Sequence, residues 1–160
     1  MIKKYICHLF FCLLCFTGLN LCAVTTSITS GKWTQGATWS NGQVPKLTDT
    51  VLVQGHHSIS LSSTNNQCAH LTLKGLLFCS SAGRQLSCKS LHLSDSARIV
   101  NKLLGSVVVD SLEVLGHNVI EKCNLTVNHL LTVHQDLIFR KTSGTITLGG
   151  VLINANGKWD

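Results

Sequence analysis

The sequence predicts an all-β protein wound as a parallel β-helix of about six coils, and three features predict it. Charged residues make up only 12% of the chain while 44% is hydrophobic, and Leu, Val, Ile, Ser and Thr outweigh the Glu and Lys that favour helices. An apolar-x-apolar doublet recurs as Val51/Val53, Leu71/Leu73, Leu91/Leu93, Leu112/Val114, Leu131/Val133 and Val151/Ile153. The steps between copies are 20, 20, 21, 19 and 20 residues, which marks an internal repeat. Two further apolar columns keep phase with the doublets.

Residues two apart in a strand point to one face, so each doublet reads as the inward side of a short strand. Eight residues after the first member of each doublet stand Ile59, Cys79, Ile99, Ile120, Phe139 and Trp159, a predicted second stack. Cys68, Cys88, Val109, Val127 and Leu148 precede the next doublets and predict a third. Gly55, Gly75, Gly105, Gly116 and Gly144, set among Ser, Asn and Asp, punctuate the runs as turns. Three short strands per repeat, each pairing with its equivalent one coil away, describe a solenoid. An antiparallel sandwich also has short strands between turns, but hairpins supply no reason for six copies to hold one phase. At about 4.8 Å per rung, six coils predict a rod about 25–30 Å long.

Lys3 and Lys4 precede a mostly apolar run from Ile6 to Val24, the layout of a secretory signal. The predicted organisation is a signal over 1–23, an N-terminal cap over 24–50 and the solenoid over 51–160. An uncleaved anchor is the alternative for the first segment, because its apolar run approaches the spanning length of about 20 residues. Bulky Leu21 also stands where a cleavage site after Ala23 prefers a small residue. Four of the eight cysteines, Cys7, Cys12, Cys15 and Cys22, lie in this run as small hydrophobes. Without Lys3 and Lys4, eleven basic and seven acidic residues leave a net charge of +4, too mild for a nucleic-acid binder. Secretion or display at the cell surface is the predicted localisation. The chain stops at Trp159-Asp160 within the sixth coil, which predicts either a truncated solenoid or self-association at that edge.

The stretch ahead of the first doublet reads Gly31-Lys32-Trp33, then Ala37-Thr38-Trp39-Ser40-Asn41-Gly42-Gln43-Val44-Pro45, then Asp49-Thr50-Val51-Leu52-Val53-Gln54-Gly55-His56. This order of Trp-x-x-Gly-x-x-Pro, Asp-x-Val and Gly-His resembles the opening of the glycine-rich extracellular module called the G-eight domain, and of right-handed β-helical surface proteins of bacteria. The resemblance spans about residues 31–77. It implies extracellular display and ligand binding, some relatives being linked to hyaluronan handling as parts of larger proteins. It also implies that Trp33 and Trp39 cap the first coil, with Asn41-Gly42 and Pro45 turning the chain into its first strand. Thr48 stands where the family carries a glycine before the Asp, and several later family glycines are missing.

Parallel β-helices also serve polysaccharide lyases and hydrolases, which need carboxylates converging on a sugar or gathered around calcium. Asp49, Asp95, Asp110, Glu113, Glu121, Asp136 and Asp160 place no acid above another in neighbouring coils, and the close pair Asp110 and Glu113 reads as a solvated strand entrance. Of His56, His57, His70, His92, His117, His129 and His134, only His56 and His117 share an offset, three coils apart, so no metal ladder is predicted. No cofactor is implied. Cys68 and Cys88 occupy equivalent positions in adjacent coils, near enough for a disulfide at about 4.8 Å; two buried thiols filling the column are the simpler alternative. Cys123, beside Lys122 and Asn124, reads as an exposed thiol in a turn.

One surface pattern is basic. Lys102, Lys122, Arg140 and Lys141 fall nine to eleven residues after their doublets, which predicts a stripe along one outer corner, with Arg98 and Lys158 nearby. Such a stripe suits an anionic polysaccharide or cell-envelope component; ordinary solubility and the blocking of lateral association are its plain alternative. The sequence therefore predicts a secreted or surface β-helical structural or adhesive module, with a carbohydrate-active enzyme or its inactive remnant as the alternative.

Overall fold

The computed structural model describes residues 23–94, 96–140, 145–153 and 158–159, with the backbone alone at 102–104, 158 and 159. The predicted signal segment lies outside these residues, Ala23 excepted. Among the described residues thirteen strands form one continuous sheet: β1 (Thr25–Thr26), β2 (Gly31–Lys32), β3 (Thr50–Val53), β4 (Ser58–Leu61), β5 (Asn66–Leu73), β6 (Leu76–Cys79), β7 (Gln85–Leu93), β8 (Arg98–Val114), β9 (Asn118–Val133), β10 (Asp136–Arg140), β11 (Ile146–Leu148), β12 (Val151–Ile153) and β13 (Lys158–Trp159). One short 3-10 turn, Gly36–Thr38, interrupts them. Every pairing between named strands is parallel. The chain is thus an all-β solenoid.

The doublets stack as predicted: Val51 on Leu71, Leu71 on Leu91, Leu91 on Leu112, Leu112 on Leu131 and Leu131 on Val151. Their partners from Val53 to Ile153 follow in step. The third column, Cys68–Cys88–Val109–Val127–Leu148, is also in register throughout. Val51 to Val151 spans about five turns, one fewer than the six coils counted from the doublets, because six rungs enclose five windings. Burying one such aliphatic side chain contributes about 1.5–3 kcal/mol; these columns form a single hydrophobic cluster as far as Val127, Leu131 and Val133, with Leu148 packed against it, while the last rung, Val151 and Ile153, is exposed.

The second column departs from the predicted phase at two places. Ile59 stacks on Leu77, Leu77 on Ile99, Ile99 on Ile120 and Ile120 on Phe139. Cys79 instead joins the column of Leu61 and Asn101, and Trp159 pairs with Leu137 rather than Phe139. The cause of the first shift is a shortened corner. Four residues separate β3 from β4, but only Lys74 and Gly75 separate β5 from β6. A Cβ at Gly75 would stand 2.3 Å from the carbonyl oxygens of both Gln54 and His57, so only glycine lets the second coil cut this corner.

Ahead of the first full turn, β1 pairs with β3 and β2 with β4. Trp33 and Trp39 are buried to 1% exposure, with rings 5.1 Å apart in an edge-to-face arrangement, and Trp39 Nε1 donates to the Trp33 carbonyl at 2.9 Å. At a later corner the register slips between Val100 and Gly105. There buried Asn101 accepts the Cys79 N–H at 3.1 Å and donates to the Gly105 carbonyl at 3.3 Å, supplying in the interior the partners that the interrupted ladder does not. Cys123 lies opposite Gly105 within β9 and is 6% exposed. The prediction of an exposed thiol there is corrected: burial, then neighbouring Cys79, pushes its pKa up to about 12.

Candidate functional site

Strand alternation that turns the ladders inward also turns two columns outward on the face made by β4, β6 and the first segments of β8 and β9, ending with β10. One column runs Ser58, Leu76, Arg98, Val119, Ile138; the next runs Ser60, Phe78, Val100, Glu121, Arg140. Leu76, Phe78, Val100, Val119 and Ile138 are all half-buried. An outward column of a solenoid is normally polar, so this is an apolar platform where water is the default neighbour. A groove of about 390 Å³ opens over it, lined by Ser58, Leu76, Phe78, Arg98 and Val100.

At the adjoining corner lies a smaller cavity of about 150 Å³, lined by Gly55, His56, His57, Ser58, Lys74, Gly75, Leu76, Ser96 and Arg98. Ser58, Leu76 and Arg98 belong to both hollows. His57 is buried, its Nδ1 2.8 Å from Ser27 Oγ, and Ser27 Oγ also accepts the Gln54 N–H at 3.0 Å. Burial first and neighbouring His56 next lower the His57 pKa, while hydrogen bonding to Ser27 works the other way. Among the described residues Arg98 makes a long ion pair, 4.0 Å to Glu121, and its side chain is 51% exposed.

The face carrying the doublet strands is different. Its outward column runs Leu52, Thr72, His92, Glu113, Thr132. His92 Nδ1 meets one oxygen of Glu113 at 2.7 Å and His134 Nε2 meets the other at 3.0 Å. His92 and Glu113 share an offset in adjacent coils, so this contact was legible in the repeat. Asp136 is held by His117 at 2.8 Å and Asp110 by Asn128 at 3.0 Å. Among the described residues no group of three His, Cys, Asp or Glu is arranged to hold a metal ion.

Of the predicted basic stripe, Lys141 lies outside the described residues and only the backbone of Lys102 is described. Lys122 is half-buried and adopts a left-handed backbone, φ 54°, at the corner. Arg140 is exposed but pairs with Glu121, not Lys122, so an acid interrupts the basic column where both are described. Cys68 and Cys88 do face each other in β5 and β7 as buried free thiols, and a hydrogen bond between them, followed by burial, raises the Cys68 pKa.

Sequence reasoning missed Leu76, Phe78 and Val100. The signal was present: Leu76-Leu77-Phe78-Cys79 is an unbroken apolar run, and in a strand half of such a run must face out. No family model matches this chain, and no curated protein or solved structure matches it either.

Proposed function

We propose that this protein is a secreted or cell-surface β-helical adhesive module that binds an acidic polysaccharide along the outward face of β4, β6 and β8. The observation that supports the reading is the groove that Phe78 and Arg98 both line. Sugar rings present apolar C–H faces that pack on an aromatic side chain, and a guanidinium is the natural partner of a uronate carboxylate. The groove's volume falls within the range of ligand sites, roughly 300–1,000 Å³. Equivalent outward positions recur at about 4.8 Å per rung, so an extended chain can meet several side chains in succession. Arg140 and Lys122, from the predicted stripe, stand further along the same solenoid. The export layout and the resemblance to extracellular modules agree with this placement.

Retention of the exported protein on an immobilised polyuronate at low salt tests the reading. The parent should be retained and should elute as salt shortens the Debye length below about 10 Å. Phe78→Ala and Arg98→Ser should each weaken retention while leaving the circular dichroism spectrum unchanged, because both side chains point away from the core. A parent that passes through unretained, or variants retained as well as the parent, would sink the proposal.

A further inference from the structure

The third column opens with two cysteines, where its later rungs carry Val109, Val127 and Leu148. Cys68 in β5 and Cys88 in β7 are direct register partners on adjacent parallel strands. Their side chains therefore leave the sheet on the same side, with Cα atoms about 4.8 Å apart. A disulfide tolerates Cα separations of roughly 4.4–6.8 Å and Cβ separations of roughly 3.5–4.5 Å. The backbone spacing already lies inside the first range, and Cβ atoms at a similar spacing need to close by only a few tenths of an ångström. Slack for that movement lies beside the pair. Strand pairing lapses at the next residues, Ala69 and Lys89, where the N–H groups of Ala69 and His70 both turn to the Asp49 carbonyl. The two thiols already share a hydrogen bond.

We infer that Cys68 and Cys88 are a modification site, closing to a disulfide that staples β5 to β7 by exchange with a donor disulfide, R–S–S–R. The donor is a small-molecule disulfide or the active-site disulfide of a thiol oxidoreductase; the exchange chemistry is the same. Cys88 is 7% exposed against 0% for Cys68, so it is the thiol that a donor meets first. Its thiolate attacks one sulfur of the donor and expels RS⁻, leaving a mixed disulfide. The Cys68 thiolate then attacks the Cys88 sulfur and expels the second RS⁻. The protons given up by the two cysteines end on the two RS⁻ ions. The pair is thereby oxidised by two electrons, and the donor is reduced to two thiols. This site is independent of what the outer groove binds, so a failure of polysaccharide retention leaves it untouched.

Register makes the site selective. Cys79 and Cys123 are also buried free thiols, but neither stands opposite a cysteine: Cys79 pairs with Leu61 and Asn101, and Cys123 with Gly105. A Cβ at Gly105 would lie 2.3 Å from the Cys79 Sγ, so Cys79 fills the space that this glycine leaves and packing alone accounts for it. Cys68 and Cys88 stand twenty residues apart in sequence and one rung apart in space. A cross-link over such a loop stabilises chiefly by restricting the unfolded chain.

The experiment equilibrates the folded 160-residue chain with glutathione disulfide, blocks the remaining thiols with iodoacetamide in denaturant, and maps tryptic peptides by mass spectrometry without reduction. Cleavage after Lys46, Lys74, Arg84, Lys89, Lys122 and Arg140 places Cys68, Cys79, Cys88 and Cys123 on the separate peptides 47–74, 75–84, 85–89 and 123–140. Peptides 47–74 and 85–89 should appear joined, two hydrogens lighter than their sum, with Cys79 and Cys123 alkylated. The oxidised protein should melt about 5–10 °C above the same protein in dithiothreitol, and the Cys88→Ser variant should melt alike under both conditions. Cys68 and Cys88 both alkylated, Cys88 carrying only a glutathione adduct, or either cysteine joined to a different partner would overturn the inference. So would a parent whose melting temperature oxidation leaves unchanged, because a staple between coils must hold the folded chain.

Discussion

The face of β3, β5 and β7 and the face of β4, β6 and β8 rest on the same interior, yet their outward columns diverge. The first exposes Thr72, His92, Glu113 and Thr132, in which the carboxylate is already satisfied by His92 and His134. The second exposes Phe78 and Val100 with Arg98, whose ion pair among the described residues is 4.0 Å long. A polar surface whose groups satisfy one another gains little from a ligand, since binding must first break those contacts. An apolar platform beside a loosely engaged cation gains from covering both. That difference is why the second face is proposed as the binding surface even though the interior treats both alike.

The largest effect should ignore the comparison altogether. Ile99→Asp places a carboxylate between Leu77 and Ile120 at a position 1% exposed, and should cost at least about 3–5 kcal/mol. Urea unfolding should show both faces lost together, and a variant as stable as the parent would refute the ladder. Gly75→Ala should act on the second face first, because its Cβ would meet the Gln54 and His57 carbonyls at 2.3 Å. A loss of about 1–3 kcal/mol is expected from such overpacking, with amide exchange accelerating around residues 54–58 before the doublet strands. Uniform exchange would show that the corner is not a local constraint.

His57 gives the comparison a pH axis. Its folded pKa lies below the ordinary value of 6.5, so between these two values the unfolded chain binds the proton that the folded protein refuses. Its contribution to stability is complete above about pH 6.5 and declines as pH falls toward the folded value. Thermal denaturation of His57→Gln should lose part of the parent's decline below pH 6.5; an identical pH profile would show that His57 does not contribute. The smallest effect belongs to the first face. Glu113→Gln should change stability by about 0–1 kcal/mol, as for exposed pairs, and should leave retention on polyuronate unaltered. A loss of retention would transfer the binding surface to the histidine face.

Much of this architecture was legible without coordinates. The inward doublets and the Cys68-to-Leu148 column could be read because burial on one side of every rung demands apolar residues at a repeated offset, and a repeat of constant length preserves that offset. The second column was legible only in part. Cys79 left the predicted phase because Gly75 permits a corner two residues shorter, a steric matter settled by carbonyls from the preceding coil. The position of Cys123 likewise depended on the slip between Val100 and Gly105, where Asn101 takes over the broken ladder. Outward chemistry was the least legible part, since no rule of burial governs it and the neighbours that give it meaning lie a coil away. The sequence by itself therefore determined a parallel β-solenoid with three apolar ladders, because periodic burial leaves a periodic trace. Tertiary structure alone decided that Phe78 and Arg98 line one groove, because corner lengths that vary from coil to coil set which outward residues become neighbours.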